Sequence, residues 1–183
     1  MVLKLSTFRN TNFVKGGSKI KWFFWMIVSS IIFKPSWIPF MRIKSWILRK
    51  FGAKIGVGFV IKPSVYIKFP WKLEIGNDVW IGENAWIDNL DQVTIGNNVC
   101  ISQGALLLTG NHDYTLTSFD YRNAPIIIED GVWIGAKSVV CPGVICKSHS
   151  ILAVGSVATK NLESYTICQG NPAKEVRKRI FKQ

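Results

Sequence analysis

Between Ile55 and Ala158 an aliphatic residue returns every six positions, with a glycine or another turn former close behind it. Ile75-Gly76-Asn77-Asp78-Val79-Trp80 is followed by Ile81-Gly82-Glu83-Asn84-Ala85-Trp86, and the phase continues through Ile128, Ile134, Val140, Cys146, Leu152 and Ala158. A period this short is one strand and one corner. Alternate side chains of a strand face opposite sides, so each aliphatic residue and the residue two before it share a face. That second residue is small or β-branched, as in Val79, Ala85, Val99, Ala105, Val132, Ser138, Val144, Ser150 and Ser156. A narrow, filled interior requires that choice. Gly76, Gly82, Gly96 and Gly135 follow the aliphatic residue, where a corner often needs positive φ.

Three such edges close one triangular coil of eighteen residues. One hexad cannot bury its apolar side alone, so the coils must stack and share a core. Ile55, Ile75 and Ile95 are spaced by twenty, which reads as one coil plus a two-residue corner insertion. A sandwich of ordinary strands would instead show spacings of about 8 to 12 residues with varied turns. The expected class is mainly β, a parallel β-helix. The residue before each inward aliphatic must point outward, yet it reads Trp80, Trp86, Cys100, Leu106, Trp133, Val139, Ile145, Ile151 and Val157. An apolar wall of that length marks a subunit interface, so a closed homo-oligomer is expected.

Three regions follow. Residues 1–54 form a basic, aromatic segment, residues 55–169 hold the repeats with an inserted loop at 109–125, and residues 170–183 form a basic end. Within the first region, residues 1–19 read as a loosely held arm. The apolar run from Trp22 to Phe33 makes a helix about 18 Å long, too short for a hydrocarbon core of about 30 Å, and it lacks the cleavage site of a signal peptide. Phe40, Ile43, Ile47, Leu48 and Phe51 recur at helical spacing, giving a second, amphipathic helix that ends at Gly52. Both helices are expected to cap the open first coil or pack on a subunit, with contact to a membrane surface as the sharper alternative. At the other end, Asn171 as N-cap and Pro172 at the first helical position predict a short basic C-terminal helix.

The net charge of +12 is unevenly placed: residues 1–54 carry eleven Lys and Arg and no acid, while residues 75–173 carry four basic against nine acidic. That division fits an anionic membrane surface or an anionic ligand better than a groove tracking nucleic acid, with a solvated basic end as the alternative. Cys100, Cys141, Cys146 and Cys168 form no CxxC pair, which places the chain in a reducing cytoplasm.

Of the two histidines, His149 sits at a corner between serines and reads as a turn residue. His112 opens the inserted loop beside Asn111, Asp113 and Tyr114. An imidazole with a pKa near about 6.5 suits a general base at neutral pH. Two histidines without CxxC cannot build a three-His zinc site within one chain, so no metal is expected. Nucleophile-elbow and phosphate-loop motifs are lacking too.

With these residues in view, the sequence resembles the hexapeptide-repeat acyltransferases. The run from Ile95 to Ile101 leading into Thr109-Gly110-Asn111-His112 is similar to the catalytic segment of galactoside and maltose O-acetyltransferases. Phe51-Gly52-Ala53-Lys54-Ile55-Gly56, Asp88-Asn89-Leu90-Asp91, His112-Asp113-Tyr114, Gly131-Val132-Trp133-Ile134-Gly135 and Gly170-Asn171-Pro172-Ala173-Lys174 resemble the colanic acid biosynthesis acetyltransferases, over nearly the whole chain. The resemblance implies a left-handed coil, against the usual rule for parallel crossovers, a homotrimer, and direct transfer of acetyl from acetyl-CoA to a saccharide hydroxyl. It implies His112 as general base and Asn89 on the acceptor side, with Asp88, Asp113 and Tyr114 contacting the acceptor. It implies Trp133, Ser138, Ala153, Thr159, Lys160, Lys174 and Arg177 around the coenzyme, and a role in surface polysaccharide synthesis. Acetylation of a small xenobiotic or amino sugar, and a non-catalytic β-helix scaffold, are the alternative readings.

Overall fold

The computed structural model describes residues 2–10, 13–37 and 40–182. The repeats wind as triangular coils of three short strands. β1 (Lys54–Ile55), β2 (Val60–Ile61) and β3 (Tyr66–Ile67) make the first. β4 (Leu73–Ile75), β5 (Trp80–Ile81) and β6 (Trp86–Asp88) make the second, and β7 (Val93–Ile95), β8 (Cys100–Ile101) and β9 (Leu106–Leu108) the third. β10 (Ile126–Ile128), β11 (Trp133–Ile134) and β12 (Val139–Val140) form the fourth, and β13 (Ile145–Cys146), β14 (Ile151–Leu152) and β15 (Val157–Ala158) the fifth. A sixth begins with Leu162, which bridges Cys146, and with β16 (Thr166–Gly170). Equivalent strands pair in parallel, giving a first sheet β1-β4-β7-β10-β13, a second sheet β2-β5-β8-β11-β14-β16 and a third sheet β3-β6-β9-β12-β15.

The register is as the spacing demands. Ile55 pairs with Ile75 and Ile75 with Ile95, so each twenty-residue interval is one coil plus a corner insertion. Inward aliphatics such as Ile61, Ile81, Ile101, Ile134 and Leu152 stack as a buried column. Each such side chain contributes roughly 1.5–3 kcal/mol by leaving water.

The corners follow a different rule from the expected one. Left-handed φ falls on the residue just before the small inward one: Asp78, Asn84, Asn98, Lys137 and His149 all lie between 55° and 60°. Gly76 and Gly135 are needed for another reason, because the next coil passes too close for a side chain. A Cβ on Gly76 would stand 2.7 Å from the Gly96 carbonyl oxygen, and one on Gly135 would stand 2.6 Å from the Val154 nitrogen.

Both ends correct the sequence reading. The expected C-terminal helix is instead a strand, β17 (Ala173–Lys178), antiparallel to β16; its last residue, Gln183, lies outside the described residues. The edge of β14 is covered by β16, with Ile151 opposite Ile167, and Gly170 at φ 104° turns the chain back to cover β16 in turn. An open sheet edge offers a row of unpaired amides, and that outweighs the local capping signal of Asn171-Pro172. At the start, α1 (Lys19–Val28) is capped by the Ser18 hydroxyl, which accepts from the Lys21 amide at 3.1 Å. It runs on as a π-helical turn, Ser29–Phe33, and is followed by α2 (Met41–Lys50). α2 lies on β1 and β2, and the π turn on β3, so the helices close the first coil. Trp25 is buried there and donates its indole N–H to the Ile67 carbonyl at 3.0 Å. α2 does not bury the whole expected stripe: Leu48 is buried, but Phe40 and Ile43 are exposed and Lys44 is buried in their place.

Candidate active site

All three interruptions of the repeat fall on one edge of the prism, where the third sheet hands over to the first. They are the one-turn helix Pro70–Lys72 between β3 and β4, residues 89–92 between β6 and β7, and residues 109–125 between β9 and β10. Buried polar side chains staple them together. The Asn89 amide accepts from the Phe69 N–H at 2.9 Å and donates to the carbonyls of Phe69 and Lys72 at 2.6 and 3.0 Å. Thr109 repeats the device one coil on, donating to the Asp88 carbonyl at 3.0 Å and accepting from the Asp91 N–H at 2.9 Å.

The long insertion folds back on itself as a narrow loop. His112 bridges Tyr121, the Asp113 N–H donates to the Asp120 carbonyl, and the Arg122 N–H donates to the Asn111 carbonyl. Inside it the His112 imidazole stacks on Phe119 at 4.2 Å between ring centroids, with Tyr121 tilted against it at 4.7 Å. Its Nδ1 lies 2.6 Å from the Phe119 carbonyl oxygen. A carbonyl only accepts, so this contact puts the proton on Nδ1 and leaves the Nε2 lone pair free.

The amino-terminal arm is tied down along the same edge, contrary to the loose arm expected. The Lys4 N–H donates to the Thr117 carbonyl at 2.9 Å, Phe8 meets Tyr121 edge-on at 5.3 Å, and the Trp71 indole donates to the Lys15 carbonyl at 2.7 Å. Between arm and loop lies an open cavity of about 350 Å³ walled by Phe13, Lys72, Asp91, Tyr121, Arg122 and Asn123. The Lys72 ammonium donates to the Val14 and Leu90 carbonyls, both at 2.6 Å. Burial holds its pKa below the usual lysine value, with Asp91 pulling the other way. Aromatic faces, an amide, a carboxylate and two cations line this cavity.

A second hollow lies on a different side. The outward residues of the second sheet stack as Val60, Trp80, Cys100, Trp133, Ile151 and Ile167. Trp133 donates its indole N–H to the Ser102 hydroxyl at 2.8 Å and overhangs an apolar groove of about 400 Å³ that Gly135, Ala153, Val154 and Arg177 also line. A larger hollow of about 720 Å³ continues past Arg177 to Lys178 and Lys182. Corner and groove stand apart within one protomer: no described contact of His112 reaches the second sheet.

Comparison with known proteins gives this geometry its relatives. The chain is 37% identical to WcaF of Escherichia coli, named for colanic acid biosynthesis acetyltransfer, across 96% of this chain and 97% of that one. It belongs to the hexapeptide-repeat acetyltransferases. Galactoside O-acetyltransferase of Escherichia coli is 29% identical over 72% of the chain and 66% of its own length. Among solved structures, a hexapeptide-repeat acetyltransferase from Vibrio cholerae superposes with a TM-score of 0.79 at 24% identity, covering 89% of this chain and 94% of that one. A galactoside acetyltransferase in complex with coenzyme A gives 0.76 at 22%, over 87% and 80%. The coil is thus the left-handed β-helix. No family model matches the sequence.

Residue by residue, the hexapeptide-repeat reading is redistributed. The fully buried Asn89 spends both amide hydrogens and one oxygen lone pair on backbone partners, so it positions the Phe69–Lys72 corner out of contact with solvent. Asp88 is nearly buried and pairs with Lys68 at 2.7 Å. Asp113 is half-buried and serves its own turn: hydrogen bonds from the Thr115 hydroxyl and amide hold its carboxyl below the usual range. Tyr114 is exposed. Ser138 is buried and gives its hydroxyl to the Ala153 carbonyl at 2.8 Å, which removes it from the expected coenzyme surface. Trp133, Ala153 and Arg177 do converge, whereas Thr159 and Lys160 are exposed at the corner after β15, and Lys174 stands at the hairpin turn opposite Gln169. Sequence reasoning missed Phe119, Lys72 and Thr109. The common phase of the three insertions was the signal that would have grouped them.

Proposed function

We propose that the chain is an acetyl-CoA-dependent O-acetyltransferase, acting on a hydroxyl of a sugar or lipid-linked saccharide in the synthesis of exopolysaccharide or capsule. The observation that carries this reading is His112, held by a backbone carbonyl in the tautomer a general base needs and packed against Tyr121, which walls a cavity whose aromatic and polar lining suits a saccharide. Nε2 takes the proton of the acceptor hydroxyl as its oxygen bonds to the thioester carbonyl carbon. The carbon–sulfur bond then breaks, the acetyl ester remains on the sugar, and the coenzyme leaves as a thiol carrying the proton from the imidazolium. The Phe119 carbonyl stabilises that imidazolium while it exists. No acyl-enzyme is involved, and proximity of the two substrates supplies much of the acceleration. The groove under Trp133 is suited to the pantetheine arm, with Arg177, Lys178 and Lys182 toward the phosphates.

Because His112 and Trp133 lie on different sides of one prism, the complete site is formed where protomers meet, in a homotrimer. The relatives' names support an acetyltransferase, and the four free cysteines suit a reducing cytoplasm. Transfer of labelled acetyl from acetyl-CoA to glycan acceptors tests the assignment. His112→Ala is expected to lower the rate by about 10²–10⁴-fold, and transfer that survives undiminished would remove the mechanism.

A further inference from the structure

The outward side of the two amino-terminal helices is apolar where a free-standing cap would be polar. Ile20, Phe23, Phe24, Ile27 and, in the π turn, Ile31 recur at spacings of three and four, which puts them on one stripe. All are exposed, Ile20 to 70% and Phe23 to 55%. α2 is inverted more sharply. It buries Lys44 completely, with the ammonium 5.9 Å from the Phe33 ring and no hydrogen-bond partner, yet it leaves Trp46 59% exposed. Trp37 and Phe40 extend the same character between the helices. An exposed apolar surface of this extent marks a contact with another apolar medium.

Charge decides which medium. Residues 1–54 hold eleven cations and no acid, and among the described residues only Lys54 of that segment forms an ion pair. A second copy of this face would set cations against cations. A bilayer carrying anionic lipid supplies acyl chains for the Phe and Ile stripe and negative charge for Lys19, Arg42 and Lys50. Beside α1 is a groove of about 240 Å³ lined by Ser29, Ser30, Lys34, Tyr66 and Lys68, and the Ser29 hydroxyl has no partner. The Lys68 ammonium is paired with Asp88, so the serine hydroxyls and the Lys34 ammonium are the groups that suit a phosphate headgroup. Among the described residues no helix is long and apolar enough to cross a membrane, so the helices would lie in the plane of the interface, where Trp and Tyr favour the headgroup level.

We propose that this face docks the enzyme on an anionic lipid surface. The test is co-flotation of the full chain with vesicles of phosphatidylcholine alone or mixed with phosphatidylglycerol. The protein is expected to float with the mixed vesicles only and to be released by salt. The double variant Phe23→Ser/Phe24→Ser is expected to cut the floated fraction about tenfold while acetyl transfer to a soluble acceptor and the melting curve stay unchanged. Should that variant fail to fold, Arg42→Glu/Lys50→Glu, which leaves the apolar stripe intact, is expected to lose the anionic preference. Wild-type protein that stays unbound, a serine variant that floats equally well, or one that alters the oligomer's mass without altering flotation would each overturn the proposal, the last by assigning the face to subunit packing.

Discussion

A backbone carbonyl orients His112, and that choice has a chemical consequence. The Phe119 oxygen fixes the tautomer without bringing a carboxylate charge to the place where the proposed mechanism brings an anionic thioester ligand. Asn89 shows the opposite economy, a polar side chain wholly absorbed by structure. Asn89→Ala should strand the Phe69 amide and two carbonyls in a buried corner, at a cost of about 1–3 kcal/mol, read as a lower urea midpoint with an unchanged slope. Were Asn89 an acceptor contact instead, the same change would raise the acceptor KM and leave the midpoint alone. Cys146 makes a further residue-level test. Burial, with smaller contributions from Cys168 and Glu129, pushes its thiol up to about 12. At pH 8 only about one molecule in 10⁴ then carries the thiolate, so iodoacetamide should leave Cys146 unmodified in the folded protein and alkylate it once urea is added. The sign for stability follows: the unfolded thiol ionises above 9.0 and the buried one does not, so this residue's contribution falls as pH rises past that value.

The solenoid elements were legible because a period of six admits few folds, and Ile55, Ile75 and Ile95 stack as their spacing requires. What stayed hidden was anything that depends on the neighbouring coil. Gly135 reads as a turn residue, yet its backbone is constrained by Val154 passing overhead. Gly155, by contrast, has positive φ at 66° and open space beyond it. The two glycines therefore predict different penalties. Gly135→Ala must force two coils apart, about 1–3 kcal/mol or more, whereas Gly155→Ala carries only the left-handed cost of about 1–2 kcal/mol. Chemical denaturation of the two variants should rank them in that order, and a larger loss at Gly155 would contradict the stacking argument. The C-terminal strand was misread for the same kind of reason, since Asn171-Pro172 speaks only of its own turn while the edge of β14 is set by residues twenty positions earlier. In the candidate site, His112 could be found as one of two histidines, but the Phe119 carbonyl that orients it has no side-chain signature, and Ser138 looked available only because its bond to Ala153 crosses between coils.

At the scale of the whole molecule, the outward columns differ by sheet. The first sheet begins with Lys54, Glu74 and Thr94, whereas the second shows Val60, Trp80, Cys100 and Trp133, and the third shows Tyr66, Trp86 and Leu106. Trp80 is 61% exposed, and in the proposed homotrimer the apolar sides are the ones that would meet other protomers. Trp80→Glu should therefore yield monomers by light scattering, and it should abolish transfer with the His112 loop intact. A sharper experiment separates a shared site from a private one. His112→Ala protomers lack the proposed base, and Arg177→Ala protomers lack the cation at the proposed coenzyme groove, so neither homo-oligomer is expected to be fully active. Mixed at random in one assembly, they create junctions in which an intact His112 from one subunit faces an intact Arg177 from the next, and about a quarter of junctions should be of this kind. Recovery of acetyl transfer toward that fraction of wild-type activity is the expected result. A site contained within one protomer would gain nothing from mixing, because every subunit would still carry one of the two defects.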